Sequence, residues 1–300
     1  MRIITVIVTH NRLNELKNCL KYLSKQTKKP DTILVVDNCS TDGTDEFLKK
    51  NNINYIHSSE NTGSAGGWNI GIEYALKNSF DLIWFMDDDG FPHHNSLNYL
   101  YNSISEKKIV CLSSLVVDSK NHSRLAIPLP LLNKKKLPVM LKTRRKIYFT
   151  DSKHIKNNKF YDFANFFNGT LIKVDAIKSI GQINKNFFLY GEEVDYFYRL
   201  RKIGKVFTLC KAIHYHPSIN KPWTLIKIYY YIKNSIYLNY KYYDFPFFRS
   251  CANLIIILFR VIKNNGFNFF LSLFRYENLK IIIMAVMRGF LLKIGNDFKK

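Results

Sequence analysis

The chain has 300 residues, and its 47% hydrophobic content is enough for one large core or two modest ones and excludes a fibrous or disordered protein. The formal net charge of +22 favours polyanionic partners, which include phosphorylated ligands, nucleic acid and anionic membrane surfaces. Five scattered cysteines and an amino terminus without a signal-peptide hydrophobic region predict a reduced, cytoplasmic environment.

Strands and helices alternate along the first part of the chain. The predicted elements are, in chain order, strand 3–9, helix 13–24, strand 32–37, helix 44–50, strand 53–56, helix 65–78 and strand 81–86. Because parallel strands need crossover connections, this alternation predicts an α/β fold with a mostly parallel sheet flanked by helices. Ligands of such sheets bind outside the carboxyl ends of the strands.

Polar side chains stand at the predicted strand ends. Thr9 ends the first strand, Asp37 ends the second, and the triplet Asp87, Asp88 and Asp89 follows the strand at 81–86. Four carboxylates would thus meet at one edge of the sheet, where they repel one another unless a cation or a hydroxyl-rich ligand is present. Carboxylate oxygens at this position are suitable ligands for Mg²⁺ or Mn²⁺, although a solvated acidic turn before a helix is the alternative.

A glycine-rich segment opens the helix predicted at 65–78. It lacks the spacing of a dinucleotide-binding loop. Gly63, Gly66 and Gly67 permit either a close backbone approach to a ligand or tight packing of the helix on a strand, and the sequence leaves both interpretations open.

Acidic and histidine residues mark the second half of the chain. Glu192, Glu193 and Asp195 precede a packed helix, where one carboxylate could accept a proton from a hydroxyl nucleophile. The alternative is an acidic helix start that the helix dipole favours. His214 and His216 close a strand predicted at 206–215, and either imidazole could complete a metal site begun by the aspartates.

Basic residues are concentrated in two segments. Residues 120–159 carry twelve Lys or Arg against one acid and are predicted to form a mobile basic excursion. From residue 201 onward, 17 Lys or Arg stand against three acids among many aromatic residues. The apolar runs at 251–259 and 281–287 are far shorter than the roughly 20 residues of a membrane-spanning helix.

This C-terminal composition has two interpretations. The helices could lie on an anionic bilayer, because apolar burial and attraction to anionic lipid act together, or they could simply pack on the main domain. We expect a catalytic domain at 1–220 and a helical, basic and aromatic extension at 221–300.

Several motifs in their combined order carry a resemblance to a known family. They are VIVTHNR (6–12), VVDNCSTDGT (35–44), NTGSAGGWNIG (61–71), WFMDDDG (84–90), FLYGEEVDYFYRLRKIG (188–204) and AIHYHP (212–217). Together they resemble glycosyltransferase family 2, and within it the galactofuranosyltransferase and rhamnosyltransferase branch, over residues 2–245. The resemblance implies a GT-A, Rossmann-like fold, an inverting single displacement and a divalent ion, Mn²⁺ or Mg²⁺.

The resemblance also implies roles for individual residues. The donor-binding set consists of Thr9, Arg12, Asp37, Gly67, Trp68, Asn69, Asp87 and Asp88. The metal set consists of Asp87, Asp89 and His216. His216 matches the family's late metal-binding histidine better than His214 does, because Ala212 stands four residues before His216. The catalytic set consists of Glu193 as the general base, Glu192 as its open alternative, and Asp195.

The expected function is therefore transfer of galactofuranose or rhamnose from a UDP or dTDP donor to a glycan or lipid-linked acceptor in cell-surface polysaccharide synthesis. The expected location is the inner face of the cell membrane, in peripheral contact with anionic lipid and without a nucleic-acid partner. The alternative is a basic protein that binds membrane or nucleic acid and carries a non-catalytic nucleotide-sugar-like domain. A nucleotidyltransferase would need a basic phosphate loop near the amino terminus, where residues 9–12 offer only Arg12.

Overall fold

The computed structural model describes residues 1–140, 146–147, 158–218 and 222–298. These residues form two compact units, each described here by itself. The sheet unit comprises the described residues of 1–139, 143–183 and 196–218. The helical unit comprises the described residues of 140–142, 184–195 and 219–300. Residues 141–145 and 148–157 of the predicted basic excursion lie outside the described residues.

The sheet unit contains the described strands and the helices that lie between them along the chain. The strands are β1 (Ile3–Thr9), β2 (Thr32–Asp37), β3 (Tyr55–His57), β4 (Leu82–Asp87), β5 (Phe91–Pro92), β6 (Ile109–Asp118), β7 (Leu129–Pro130), β8 (Lys146–Ile147), β9 (Phe160–Tyr161), β10 (Thr170–Lys173) and β11 (Lys205–His216). The helices are α1 (Leu13–Leu23), α2 (Thr44–Lys50), α3 (Gly63–Lys77), α4 (Ser96–Ile104), α5 (Val174–Ile180) and α6 (Glu192–Arg201), of which α6 begins in the helical unit.

The central sheet has the strand order β3-β2-β1-β4-β10-β6-β11-β5, with β9 paired to β11. β3, β2, β1 and β4 are parallel, as are β6 and β11. β10 is antiparallel to both β4 and β6, so β6 and β11 keep the direction of β4. Six of the described strands therefore end at one edge of the sheet, where ligands of α/β folds bind.

The β1 strand is buried on both faces, as a parallel strand covered by helices must be. Ile4, Val6 and Ile7 have no exposed surface. α3 packs closely on this strand, because a Cβ atom added to Gly71 would lie 2.3 Å from Val6 Cγ1, and one added to Gly67 would lie 2.6 Å from a Val8 methyl group. Of the two interpretations of the glycine-rich segment, the structure supports helix-on-strand packing for Gly67.

The helical unit is built on α7 (Leu225–Tyr242), α8 (Pro246–Asn265), α9 (Phe267–Ser272) and α10 (Tyr276–Phe290). Isoleucines of α7 form its core with Ile257 and Val261 of α8 and Ala285 of α10. Asn234 of α7 donates hydrogen bonds to the carbonyl oxygens of Leu189 and Tyr190, at 2.8 and 2.7 Å. These bonds are one reason why residues 184–195 belong to this unit, although the sequence assigned them to the 1–220 domain. No helix in the described part of the chain combines the length and apolar character needed to cross a bilayer.

Candidate functional site

The carboxyl edge of the sheet gathers polar residues from neighbouring strands. Thr9 lies opposite Asp37 in the β1–β2 register, and Asp37 lies opposite His57 in the β2–β3 register. On the other side of β1, Val8 lies opposite Asp87. The edge thus carries the hydroxyl and carboxylate groups that the strand ends predicted, together with the imidazole of His57.

Asp87, Asp89 and His216 form a metal-compatible triad. One ligand atom from each lies within 4.8 Å of those of the other two. His216 Nε2 is 3.1 Å from Asp89 Oδ1, and its Nδ1 is 2.7 Å from the carbonyl oxygen of Pro217. A metal-binding histidine commonly donates its second ring N–H to a carbonyl group, which fixes the ring and leaves the other nitrogen free for the ion.

His214 does not join the triad. Its ring is fully buried, and neither of its nitrogens has a hydrogen-bond partner among the described residues. A Cβ atom added to Gly90 would lie 2.3 Å from His214 Nε2, so the ring packs directly against the backbone that follows the aspartate triplet. Burial lowers the pKa of His214 to about 3, so the ring is neutral. Of the two histidines left open by the strand pattern, the geometry favours His216 as the ligand.

Asp88 is held by residues from the start of the chain. Its Oδ2 accepts a hydrogen bond from Thr9 Oγ1 at 2.8 Å, and its Oδ1 accepts one from Arg12 at 3.1 Å. The same Arg12 nitrogen also donates to Asp89 Oδ2 at 2.8 Å. Four residues predicted from distant stretches of sequence are therefore in direct contact.

The electrostatics of the triplet fit an added cation. Desolvation, followed by the charge of Asp89, raises the pKa of Asp87 to about 7. Desolvation acts to raise the pKa of Asp89 as well, but its hydrogen bond and charge interaction with His216, together with the charge of Arg12, lower that pKa overall. A divalent ion would offset the desolvation and the charge repulsion that raise the pKa of Asp87, and two carboxylates with an imidazole are donors that Mn²⁺ or Mg²⁺ accepts.

Asp37 and His57 form a second polar pair at the same edge. Asp37 is fully buried, and its carboxylate accepts a hydrogen bond from the Ser40 backbone N–H at 3.0 Å. Its other oxygen is 2.9 Å from His57 Nδ1, and the side chain of His57 is 42% exposed. Sequence reasoning did not single out His57, although its place just beyond the strand predicted at 53–56 was the available signal.

Gly67, Trp68 and Asn69 are held in structural contacts. Trp68 is 1% exposed and stacks on Phe167 with ring centroids 4.7 Å apart. The buried Asn69 side chain donates to the Ile183 carbonyl at 2.8 Å and accepts from the Ile183 N–H at 2.9 Å. Parts of the surfaces of these three residues therefore pack against the chain itself, and the donor-pocket role that the resemblance implies for them stays a prediction.

The acidic motif lies at the start of α6, in the helical unit. Glu193 Oε2 accepts a hydrogen bond from the Gly191 backbone N–H at 2.9 Å, and desolvation raises the pKa of Glu193. Glu192 is 6% exposed. Asp195 is 1% exposed and is bound by Lys241 Nζ at 2.8 Å and the Tyr242 hydroxyl at 2.6 Å. These contacts pair the buried Asp195 carboxylate with groups of the helical unit itself.

Comparison with known proteins adds a family and a fold. The family model described as Glycosyl transferase family 2 matches residues 4–176. Galactofuranosyltransferase GlfT1 of Mycolicibacterium smegmatis is 31% identical over 217 residues, which cover 71% of this chain and 70% of that protein. The dTDP-rhamnosyl transferase RfbF of Shigella flexneri is 24% identical over 205 residues, covering 67% of this chain and 64% of RfbF.

The fold resembles that of solved glycosyltransferases. The mannosyltransferase PcManGT of Pyrobaculum calidifontis, solved with GDP-Man and Mn²⁺, superposes with a TM-score of 0.57 at 12% identity, over 97% of this chain and 86% of that one. The α/β prediction with a GT-A, mostly parallel sheet is confirmed.

Proposed function

The chain belongs to glycosyl transferase family 2, and from that premise we propose that it transfers galactofuranose, or alternatively rhamnose, from a UDP or dTDP donor with inversion at the anomeric carbon. The names of GlfT1 and RfbF support these two sugars. The observation that carries the proposal is the meeting of Asp87, Asp89 and His216 within 4.8 Å at the carboxyl edge of the sheet.

Asp87, Asp89 and His216 are the proposed ligands of a divalent ion, Mn²⁺ or Mg²⁺. Such an ion, when bound, neutralises the negative charge that grows on the diphosphate as the sugar leaves. PcManGT, which is similar in fold, was solved with Mn²⁺ and supports this assignment. The chain contributes fixed ligand positions, because Arg12 holds Asp89 and the Pro217 carbonyl holds the His216 ring.

The remaining polar residues of the edge are proposed to hold the donor. Thr9 and Arg12 fix the Asp88 carboxylate, which is suited to accept hydrogen bonds from ribose or sugar hydroxyls. Asp37 and its partner His57 are the proposed contacts of the base. His57 is the more accessible of the two, so direct contact with a ligand falls first to its exposed edge.

Glu193 is the proposed general base. A sugar hydroxyl is a weak nucleophile, and a carboxylate that accepts its proton as the new bond forms lowers the barrier. The raised pKa of Glu193 makes it a stronger base than an ordinary glutamate. Glu192, the neighbouring buried carboxyl group, is the alternative.

The proposed acceptor is a glycan or a lipid-linked glycan in cell-surface polysaccharide synthesis. The support for this acceptor is the resemblance of the sequence motifs to the galactofuranosyltransferase and rhamnosyltransferase branch. The proposed location is the inner face of the cell membrane.

Calorimetry with UDP, dTDP and GDP, each with and without Mn²⁺, tests the donor assignment. We expect Mn²⁺-dependent binding of UDP or dTDP and weaker binding of GDP. Absence of metal-dependent binding for all three nucleotides would reject the enzyme assignment and favour the non-catalytic alternative.

The rate of sugar transfer tests the assignment of Glu193 as the general base. Glu193→Gln keeps the size of the side chain and removes its proton-accepting charge, so we expect donor binding to persist and sugar transfer to be lost. Asp175→Asn, at a carboxylate whose side chain is 92% exposed, is the matched control. Full turnover by Glu193→Gln would transfer the role to Glu192, which the same substitution at that position then checks.

A further inference from the structure

α8 is apolar on two opposite faces. Ile257 and Val261 are buried in the core of the helical unit. Phe248, Ile255 and Phe259 recur at intervals of seven and four residues, which places them on one stripe, and they are 64%, 55% and 68% exposed. With 3.6 residues per turn, this stripe lies roughly opposite the buried positions. A helix with water on its outer side would carry polar residues there.

α10 repeats the same arrangement. Ala285 and Gly289 are buried, and a Cβ atom added to Gly289 would lie 2.9 Å from Cβ of Ile236 on α7. On the opposite side, Tyr276, Ile283 and Met287 are 76%, 49% and 59% exposed. Their spacing again defines one stripe.

Both exposed stripes lie outside the core of the helical unit. α8 and α10 both bury their inner faces against the core built on α7, so both outer stripes point away from that helix. The segment between them adds Phe267, Leu271 and Phe274, which are 58%, 50% and 58% exposed. We call this set the outer face; it consists of Phe248, Ile255, Phe259, Phe267, Leu271, Phe274, Tyr276, Leu279, Ile283 and Met287.

A groove of about 470 Å³ runs along the outer side of α10. Ile283, Met287 and Leu291 line it together with Lys280 and Lys293. Apolar walls beside ammonium groups suit a molecule with a hydrocarbon chain and an anionic head, which is the chemistry of an acidic phospholipid.

The charges beside the outer face also select its partner. Lys263, Arg275, Lys280 and Lys293 are exposed, and none of them has an ion-pair partner among the described residues. A second copy of the chain on a two-fold axis would bring the same patch, with the same cations, against itself. An anionic lipid surface would instead attract each cation while it buries the apolar stripes.

We propose that the outer face binds the surface of an anionic lipid bilayer, with its aromatic and aliphatic side chains in the boundary between headgroups and acyl chains. This inference does not rest on the proposed glycosyltransferase activity. The sequence predicted only a basic, membrane-associating tail, and the outer face gives that contact a defined surface.

Flotation of the full chain with vesicles tests the proposal. We expect binding to phosphatidylcholine vesicles that contain phosphatidylglycerol and little binding to pure phosphatidylcholine. Raising the salt from about 0.1 M to about 1 M shortens the Debye length from about 10 Å to about 3 Å and should weaken binding strongly.

Two variants separate the apolar and charged contributions. Ile255→Ser/Phe259→Ser/Ile283→Ser should lower the vesicle partition coefficient by about tenfold or more, because each side chain loses apolar area that the bilayer would bury. Lys263→Ala/Arg275→Ala/Lys280→Ala should abolish the preference for anionic vesicles.

Matched controls come from the sheet unit. Ile203→Ser removes an apolar side chain that is 44% exposed, and Lys21→Ala/Lys107→Ala/Lys202→Ala removes three exposed lysines. Both should bind vesicles within about twofold of the unaltered chain, since single exposed apolar residues and dispersed lysines form no patch.

Other outcomes would overturn the proposal. They are equal binding to neutral and anionic vesicles, unchanged binding by the charge variant, and a dimer in sedimentation that the apolar substitutions dissociate. The last of these would assign the outer face to a second copy of the chain. If the apolar variant fails to fold by circular dichroism, the charge variant alone decides, because its three residues are exposed and lie outside the core.

Discussion

Asp89→Asn is the most direct test of the triad. The substitution keeps the shape of the side chain and can preserve its contacts with Arg12 and His216, while it removes one of the two carboxylates within reach of a shared ion. Since Arg12 keeps its hydrogen bond to Asp88, the local structure has a second anchor. We therefore expect the variant to fold and to lose its affinity for Mn²⁺.

The expected loss of Mn²⁺ affinity follows from the proposed role of Asp89 as a charged ligand. Loss of an outer-sphere partner of a metal ligand costs about 10-fold to 100-fold in metal affinity, so loss of a charged ligand should cost about 100-fold or more. At a free Mn²⁺ concentration of 100 times its Kd, the ion stabilises a folded protein by about 2.7 kcal/mol. In Asp89→Asn the Kd for Mn²⁺ is about 100-fold higher, so the same Mn²⁺ concentration only equals the Kd of the variant. The stabilisation then falls to about 0.4 kcal/mol.

Thermal unfolding with and without Mn²⁺ measures this difference. At about 2–4 °C per kcal/mol for a domain of this size, the unaltered chain should gain about 5–10 °C and Asp89→Asn about 1 °C. Asp175→Asn, at an exposed carboxylate, should respond like the unaltered chain. An equal Mn²⁺ shift in Asp89→Asn would show that the ion binds elsewhere, and the triad would lose its proposed role.

Three further predictions concern the base, the acidic motif and the packing of α3. The pKa of Glu193 is raised, and the base acts in its deprotonated form, so kcat/KM should fall when the pH is lowered. This fall should begin at a pH above the usual glutamate pKa of about 4.3. A fall that begins only at or below that pH would contradict the assignment. Asp195→Asn should lower the free energy of unfolding in urea by about 1–3 kcal/mol through weakened bonds to Lys241, while turnover per folded molecule is retained. Gly71→Ala places a Cβ atom against Val6 and should destabilise the fold by about 1–3 kcal/mol in the same assay, with donor affinity unchanged; a fully stable variant would show that α3 can move away from β1.

The sequence predicted the elements that carry the site because their patterns are local. Apolar runs that end in polar residues located β1, β2 and β4 to within about two residues, and the parallel arrangement then placed Thr9, Asp37 and Asp87 at one edge. The strand pattern left both His214 and His216 open as partners of the aspartates, and only the family resemblance favoured His216, since nothing in a strand pattern specifies which distant strand lies beside which loop.

The antiparallel strand β10 could not be anticipated in the same way. Its four residues are too short for a reliable periodicity, and its position between β4 and β6 depends on pairing across the sheet. The sequence also could not show whether the glycine-rich segment is buried against a strand. A glycine suits both ligand approach and close packing, and only the position of Val8 against Gly67 distinguishes them.

The geometry of the triad depends on the path of the backbone directly after the aspartates. Beyond Asp89 the backbone turns at Gly90 and pairs as β5 with the end of β11, where Pro92 lies opposite His214. That pairing requires the ring of His214 to lie against residue 90, and the distance of 2.3 Å for an added Cβ atom shows that only glycine fits there without displacement. The pairing of the short β5 strand with β11 therefore holds Asp89 next to His216, which lies two residues after His214 on β11. In the proposed metal site, a side chain at position 90 would displace β5 and separate Asp89 from His216, so we expect Gly90 to support metal affinity without supplying a ligand.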